Sequence, residues 1–63
     1  MKTFYKTLLI KGKTVQWLAD KLGVSHQAVS AWKRGASKPS VKHLQGIHRI
    51  LGVDFEVLIR EHF

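Results

Sequence analysis

The stretch that decides the fold runs from Val15 to Arg34, VQWLADKLGVSHQAVSAWKR. Val15, Leu18, Ala19 and Leu22 follow the i, i+3, i+4, i+7 spacing of a short amphipathic helix. Gly23 ends that helix, Ser25 is placed to cap the next, and Ala28, Val29 and Trp32 are the inward positions of a second helix that stops near Gly35. Only Gly23, Val24 and Ser25 separate the two, so the helices must cross sharply. The crossing demands a small residue where the axes approach, a residue tolerant of positive φ in the turn, and an aliphatic residue on the second helix facing the first. Ala19, Gly23 and Val29 meet these demands, and Leu18, Leu22, Val24 and Trp32 fill the flanking inward positions.

Outward from this pair, the same spacing predicts three more helices. Thr14 caps the helix that starts at Val15. Before it, Phe4 with Leu8 and Tyr5 with Leu9 sit four apart and predict a first helix from about Thr3 to Lys11, stopped by Gly12. After it, Ala36 to Ser40 contains the only proline, Pro39, and reads as a loop into a fourth helix capped by Ser37 or Ser40. Val41, Leu44, Ile47 and Leu51 form the core stripe of that helix, and Gly52 closes it. Asp54 caps a last helix in which Phe55, Leu58 and Ile59 share a face and Glu56 sits near the positive end. No period-two pattern, hairpin signal, repeat or linker interrupts this order. The expectation is an all-α, five-helix bundle forming a single domain over residues 1–63.

Composition excludes most chemistry. A chain of 63 residues falls below the roughly 100 to 200 residues of an ordinary domain, so one small core is expected. The absence of cysteine removes disulfides, thiolate metal sites and cysteine nucleophiles, and points to a reducing cytoplasm. No apolar run approaches the 18 or so residues that span a bilayer, and the N-terminus is too polar for a signal peptide. The histidines His26, His43, His48 and His62 have no carboxylate pair beside them, so neither a metal nor a hydrolytic site has a ligand set, and all four read as surface residues. No glycine-rich phosphate loop is present. The expectation is a non-enzyme without cofactor, metal or small-molecule ligand.

Charge supplies the partner. Eleven Lys and Arg against four Asp and Glu give a net charge of +7, which favours a polyanion. Residues 1–50 carry +9 with Asp20 as their one acidic residue, whereas residues 51–63 carry −2. The charge is therefore sited away from the C-terminal helix.

These pieces resemble the Cro and repressor type of helix-turn-helix family of phage and bacterial regulators. The matching segments are LADKLGVS at Leu18–Ser25, AVSAWKRG at Ala28–Gly35, KPS at Lys38–Ser40 and LGV at Leu51–Val53, so the similarity covers roughly residues 12 to 59, with the motif itself at 15–34. The resemblance implies a lambda-repressor-like DNA-binding domain whose third helix enters the major groove, acting as a dimer on a two-fold site. It implies base reading by the outward residues His26, Gln27, Ser30 and Ala31. Gln27 is the foremost reader, because its amide makes a bidentate pair with adenine. Phosphate contacts are then expected from Lys33, Arg34, Lys38 and Lys42, joined by Thr14, Ser25 and His43. One departure stands out: members of the family place glutamine at the first residue of the second helix to anchor a phosphate, whereas here Val15 stands there with Gln16 next. That leaves the backbone N–H groups to serve. Trp17 lies about 200° from Val15 on a wheel of 100° per residue, off the inner stripe, and is expected to pack sideways on the first helix.

The expected function is a sequence-specific transcriptional regulator in the cytoplasm of a bacterial host, a Cro-like repressor that covers promoter DNA. Its partner is a double-stranded operator, bound as a weak homodimer that forms either beforehand or only on DNA, with Phe55, Val57, Leu58, Ile59 and Phe63 as the interface. The alternative on the same scaffold is an antitoxin or antirepressor whose target is another protein, held through Trp17 and the C-terminal tail.

Overall fold

The computed structural model describes residues 1–63 as five helices: α1 Thr3–Ile10, α2 Val15–Leu22, α3 His26–Arg34, α4 Val41–Leu51 and α5 Phe55–His62. Four of them begin at a side-chain cap. Thr14 Oγ1 accepts from the Trp17 N–H at 3.0 Å, Ser25 Oγ from Ala28 at 3.1 Å and Ser40 Oγ from His43 at 3.2 Å. Asp54 Oδ1 accepts from Glu56 at 2.8 Å and from Val57 at 3.3 Å. Of the two serines before α4, Ser40 is therefore the cap; the Ser37 N–H donates to the Ala31 carbonyl at 3.4 Å and closes the turn after α3. No helix is long and apolar enough to cross a membrane.

One core gathers side chains from every helix: Phe4 and Leu8, Leu18 and Ala19, Val29 and Trp32, the α4 stripe Leu44, Ile47 and Leu51, then Val53 and Leu58. Pro39 is fully buried as well and pins the loop between α3 and α4. One expectation is corrected. Val41 is half exposed, because side chains on a helix lean toward its N-terminus and the first residue of α4 therefore points off the end of the stripe. Leu9 is exposed together with Ile10, since α1 buries only Phe4 and Leu8 and leaves Tyr5 half-buried.

The packing of α4 on α2 depends on an absence. Gly46 sits in the middle of α4, where glycine costs about 1 kcal/mol relative to alanine. A Cβ there would lie 2.6 Å from Leu22 Cδ2, so the missing side chain lets α4 close onto the end of α2.

Helix α1 has no side-chain cap of its own, and α5 supplies one. Glu61 Oε1 accepts from the Thr3 N–H at 2.9 Å and Oε2 from the Thr3 hydroxyl at 2.6 Å, while Lys2 Nζ donates to the Glu61 carbonyl oxygen. Burial alone would raise the Glu61 carboxyl, but the Thr3 hydroxyl and N–H, with His62 and Lys2, outweigh it and hold Glu61 below the ordinary carboxylate range. The neighbouring His62 is not a surface residue as expected. Four positions after Leu58, it lies on the inward face of α5, with its ring 5.7 Å from that of Phe4 and its Nε2 buried without a partner. Burial first, and Lys2 second, push His62 below its ordinary value of 6.5, against the opposing pull of Glu61.

Both groups are depressed in the folded protein, so both stabilise it above their unfolded pKa values and lose that contribution as the pH falls. His62 acts first, below about pH 6.5, and Glu61 follows in the carboxylate range. His62→Phe removes an unpartnered buried nitrogen, so it is expected to hold or raise stability at pH 7 by up to about 1 kcal/mol and to flatten the loss that sets in as the pH falls below the ordinary histidine value of 6.5. Urea denaturation across that pH series checks this, and an unchanged slope would clear His62 of the effect. Gly46→Val is expected to cost about 1 to 3 kcal/mol through overpacking, with part of the loss recovered when Leu22 is also changed to alanine. Strictly additive losses in that double-mutant cycle would mean that positions 22 and 46 do not compete for space.

Candidate nucleic-acid interface

The interface is built on the connection between α2 and α3. Gly23 adopts a left-handed conformation (φ 72°), and behind it the Val24 N–H donates to the Ala19 carbonyl at 3.0 Å and the Gly23 N–H to the Asp20 carbonyl at 3.3 Å. This pair of bonds closes α2 and swings the chain into the next helix within three residues. Ala19 and Val29 have no accessible surface, and Leu18 and Trp32 pack beside them, so the angle between α2 and α3 is set by core packing.

That packing fixes which residues α3 turns outward. At about 100° per residue, His26, Gln27, Ser30 and Ala31 span an arc of about 140° opposite Val29 and Trp32. His26 and Gln27 are exposed, whereas Ser30 and Ala31 are half-buried. The two residues with freest access thus occupy the first turn, beside backbone N–H groups that have no acceptor within the helix.

The helix ends are electrostatically unequal. None of α2, α3 and α4 carries an acidic residue in its first turn, whereas α5 has Asp54 and Glu56 at its start and α1 is capped by Glu61. Each helix start carries a partial positive charge, and the carboxylates that neutralise it are confined to α1 and α5. Thr14 and Ser25 each use the hydroxyl oxygen as a cap acceptor and keep the hydroxyl proton for an outside acceptor, whereas the Ser40 hydroxyl also pairs with His43 Nδ1. At the other end of α3, Lys33 and Arg34 complement the negative terminus.

The cations expected to meet phosphate are found in different states, and Lys33 and Arg34 line a shallow pocket with Met1, Lys2 and Glu61. Arg34, Lys38 and Lys42 are exposed and Lys33 is half-buried, with its Nζ 4.5 Å from the Tyr5 ring centroid. Lys38 Nζ lies 5.7 Å from the Phe63 ring. The ring of His43 packs 5.3 Å from that of Trp32 and its Nδ1 lies 3.0 Å from Ser40 Oγ, so only Nε2 is left for an external contact. Gln16 is unavailable as a substitute for the glutamine the family places one residue earlier, because its Nε2 donates to Asp20 Oδ1 at 2.8 Å.

Trp17 packs against the core cluster and is half-buried, with Lys13 and Lys21 at 5.2 and 5.7 Å from its ring. Four residues to either side, these lysines form a column that periodicity of apolar residues alone does not reveal. The residues expected at a dimer interface divide. Phe55, Ile59 and Phe63 follow one another at spacings of four along one edge of α5, Val57 lies on the opposite edge, and Leu58 has no accessible surface at all. Leu58 is therefore a core residue, because it points at the α4 stripe. No three histidine or acidic side chains converge, and His48 bonds the Val53 carbonyl through Nδ1 at 2.7 Å.

A family model for helix-turn-helix domains matches residues 6–58, so it takes in both helices of the motif, the Pro39 loop and the first half of α5. No curated protein and no solved structure matches the chain.

Ser25 ties the reading turn to the scaffold. Ser25→Ala is expected to lower stability by about 1 kcal/mol and to speed amide hydrogen exchange at His26, Gln27 and Ala28 before the rest of α3. Uniform loss of protection along the whole helix would show that the cap does not govern the first turn on its own.

Proposed function

Because the chain belongs to the Cro and repressor type of helix-turn-helix family, a family of DNA-binding regulators, we propose that it is a sequence-specific regulator of transcription, a Cro-like repressor that covers promoter DNA as one domain. The observation that carries this reading is the contrast between helix ends. The starts of α2, α3 and α4 lack carboxylates, and the acidic side chains that could neutralise them are spent on α1 and α5. A polyanion completes what the fold leaves open.

In this reading Gln27 pairs with an adenine edge, and His26 donates to guanine N7 or to a phosphate. Ser30 bonds a base or a phosphate, and Ala31 lies against a thymine methyl. Thr14 and Ser25 offer phosphate contacts from the first turns of α2 and α3. Lys33, Arg34, Lys38, Lys42 and His43 hold the backbone and set affinity without setting sequence. Lys33 and Lys38 leave their aromatic rings to do so, a cost of order 0.5 to 1 kcal/mol each at exposed sites. One reading helix covers few base pairs, so two copies bind half-sites about 34 Å apart, meeting along the Phe55, Ile59 and Phe63 edge of α5.

The half-burial of Trp17 beneath two lysines supports this reading over an antitoxin or antirepressor that grips a protein through that ring. Selection of bound duplexes from a random pool is the direct test. On the selected site, Gln27→Ala is expected to cost about 1 to 3 kcal/mol and to relax preference at one base pair, while Lys38→Ala weakens all sequences alike and reduces the salt slope by about 1. An unchanged preference profile for Gln27→Ala would remove it as the reader. Duplex binding that does not weaken as salt rises would favour the protein-partner alternative.

A further inference from the structure

Between the end of α2 and the outer face of α4 runs a groove of about 520 Å³ whose rim carries Lys21, Lys42 and Arg49. No carboxylate lines it. Asp20, next to Lys21 in sequence, is held by Gln16. On α4, Lys42, Gly46 and Arg49 are spaced by four and three residues and share one face. The seven residues from Lys42 to Arg49 rise about 10.5 Å at about 1.5 Å each. That separation is enough for the two cations to meet different phosphates of one strand. Between them Leu22 of α2 fills the space over Gly46, and Lys21 stands on the facing wall.

We propose that this groove seats the phosphate backbone of the duplex flanking the bases that α3 reads, with Lys21 and Arg49 as its distinguishing contacts. The inference rests on the DNA-binding reading above and extends it beyond the reading helix. The groove joins that interface directly. Gly23 in its wall lies two residues before Ser25, and Lys42 and His43 belong to both surfaces. Its apolar share is small, only Leu22 and Ile50, both half-buried, which suits a charged strand better than the anchoring side chains of a protein partner. Operator recognition on this account includes sequence-independent contacts outside the half-site, so affinity depends on how far the duplex continues.

The experiment compares two duplexes, one ending at the selected site and one extended by about one helical turn of 10 base pairs on each side. Wild type is expected to bind the longer duplex more tightly. The variant carrying Lys21→Gln and Arg49→Gln is expected to lose that gain, with a slope of log K against log salt shallower by about 1.8 on the long duplex. On the short duplex it is expected to match wild type within about twofold. Both residues are exposed, and equal thermal melts confirm that the variant folds. An unchanged slope on the long duplex overturns the inference while leaving the reading of α3 intact, provided Gln27→Ala still relaxes preference. Loss of preference for any sequence in the wild type would instead sink the reading itself. Poly-L-glutamate that shifts the amides of residues 21–23 and 42–50 when duplex does not would assign the groove to an acidic protein and overturn the proposal.

Discussion

The packing of α2 on α3 around Ala19 and Val29, both sealed from solvent in the one core, is the constraint on which the rest of the molecule depends. A larger side chain at either place would push α2 and α3 apart, and the turn through Gly23 leaves no slack to absorb the change. Because the two helices are locked at this point, the direction in which α3 presents His26 and Gln27 is a property of the core. The outward arc is the complement of the inward one. Reading geometry and folding geometry are thus a single constraint, which suits a protein whose core is only eleven side chains.

The same economy appears at the helix ends. A cap hydroxyl accepts one backbone N–H and still holds a proton to donate, so Thr14 and Ser25 stabilise their helices and, in the proposed reading, also meet phosphate. Carboxylates would cap as well, and Asp54 does so on α5. On α2, α3 and α4 a carboxylate would repel the strand that the proposed reading brings to these helix ends. The partition of acidic residues between the two sets of helices is therefore a division of labour between stability and binding.

Further stabilising contacts lie away from the candidate interface. The Lys2, Thr3 and Glu61 contacts join the first helix to the last, and His62 fills the space beneath Phe4 at the cost of an unpartnered nitrogen. A chain this short buries only about 60% of the surface its unfolded form exposes, so a few such contacts are a sizeable part of what holds it together. Their acid sensitivity follows from the two depressed pKa values.

The amino-acid sequence by itself determined the five helices, their caps at Thr14, Ser25 and Asp54, the glycine turn, the inward residues of α2 and α3, and hence the outward set around Gln27. Each of these rests on neighbours within four residues, where spacing and local hydrogen bonding decide the outcome. Only the tertiary structure decided what depends on distant partners. Glu61 caps α1 across 58 residues, Gly46 is empty because Leu22 occupies its space, and His62 is buried because Phe4 lies above it. Val41 and Leu9 match the periodicity yet face solvent, since a pattern marks a helix face without saying where the neighbouring helix ends. The basic groove likewise joins residues 21 and 49, whose nearness arises only when α4 closes onto α2.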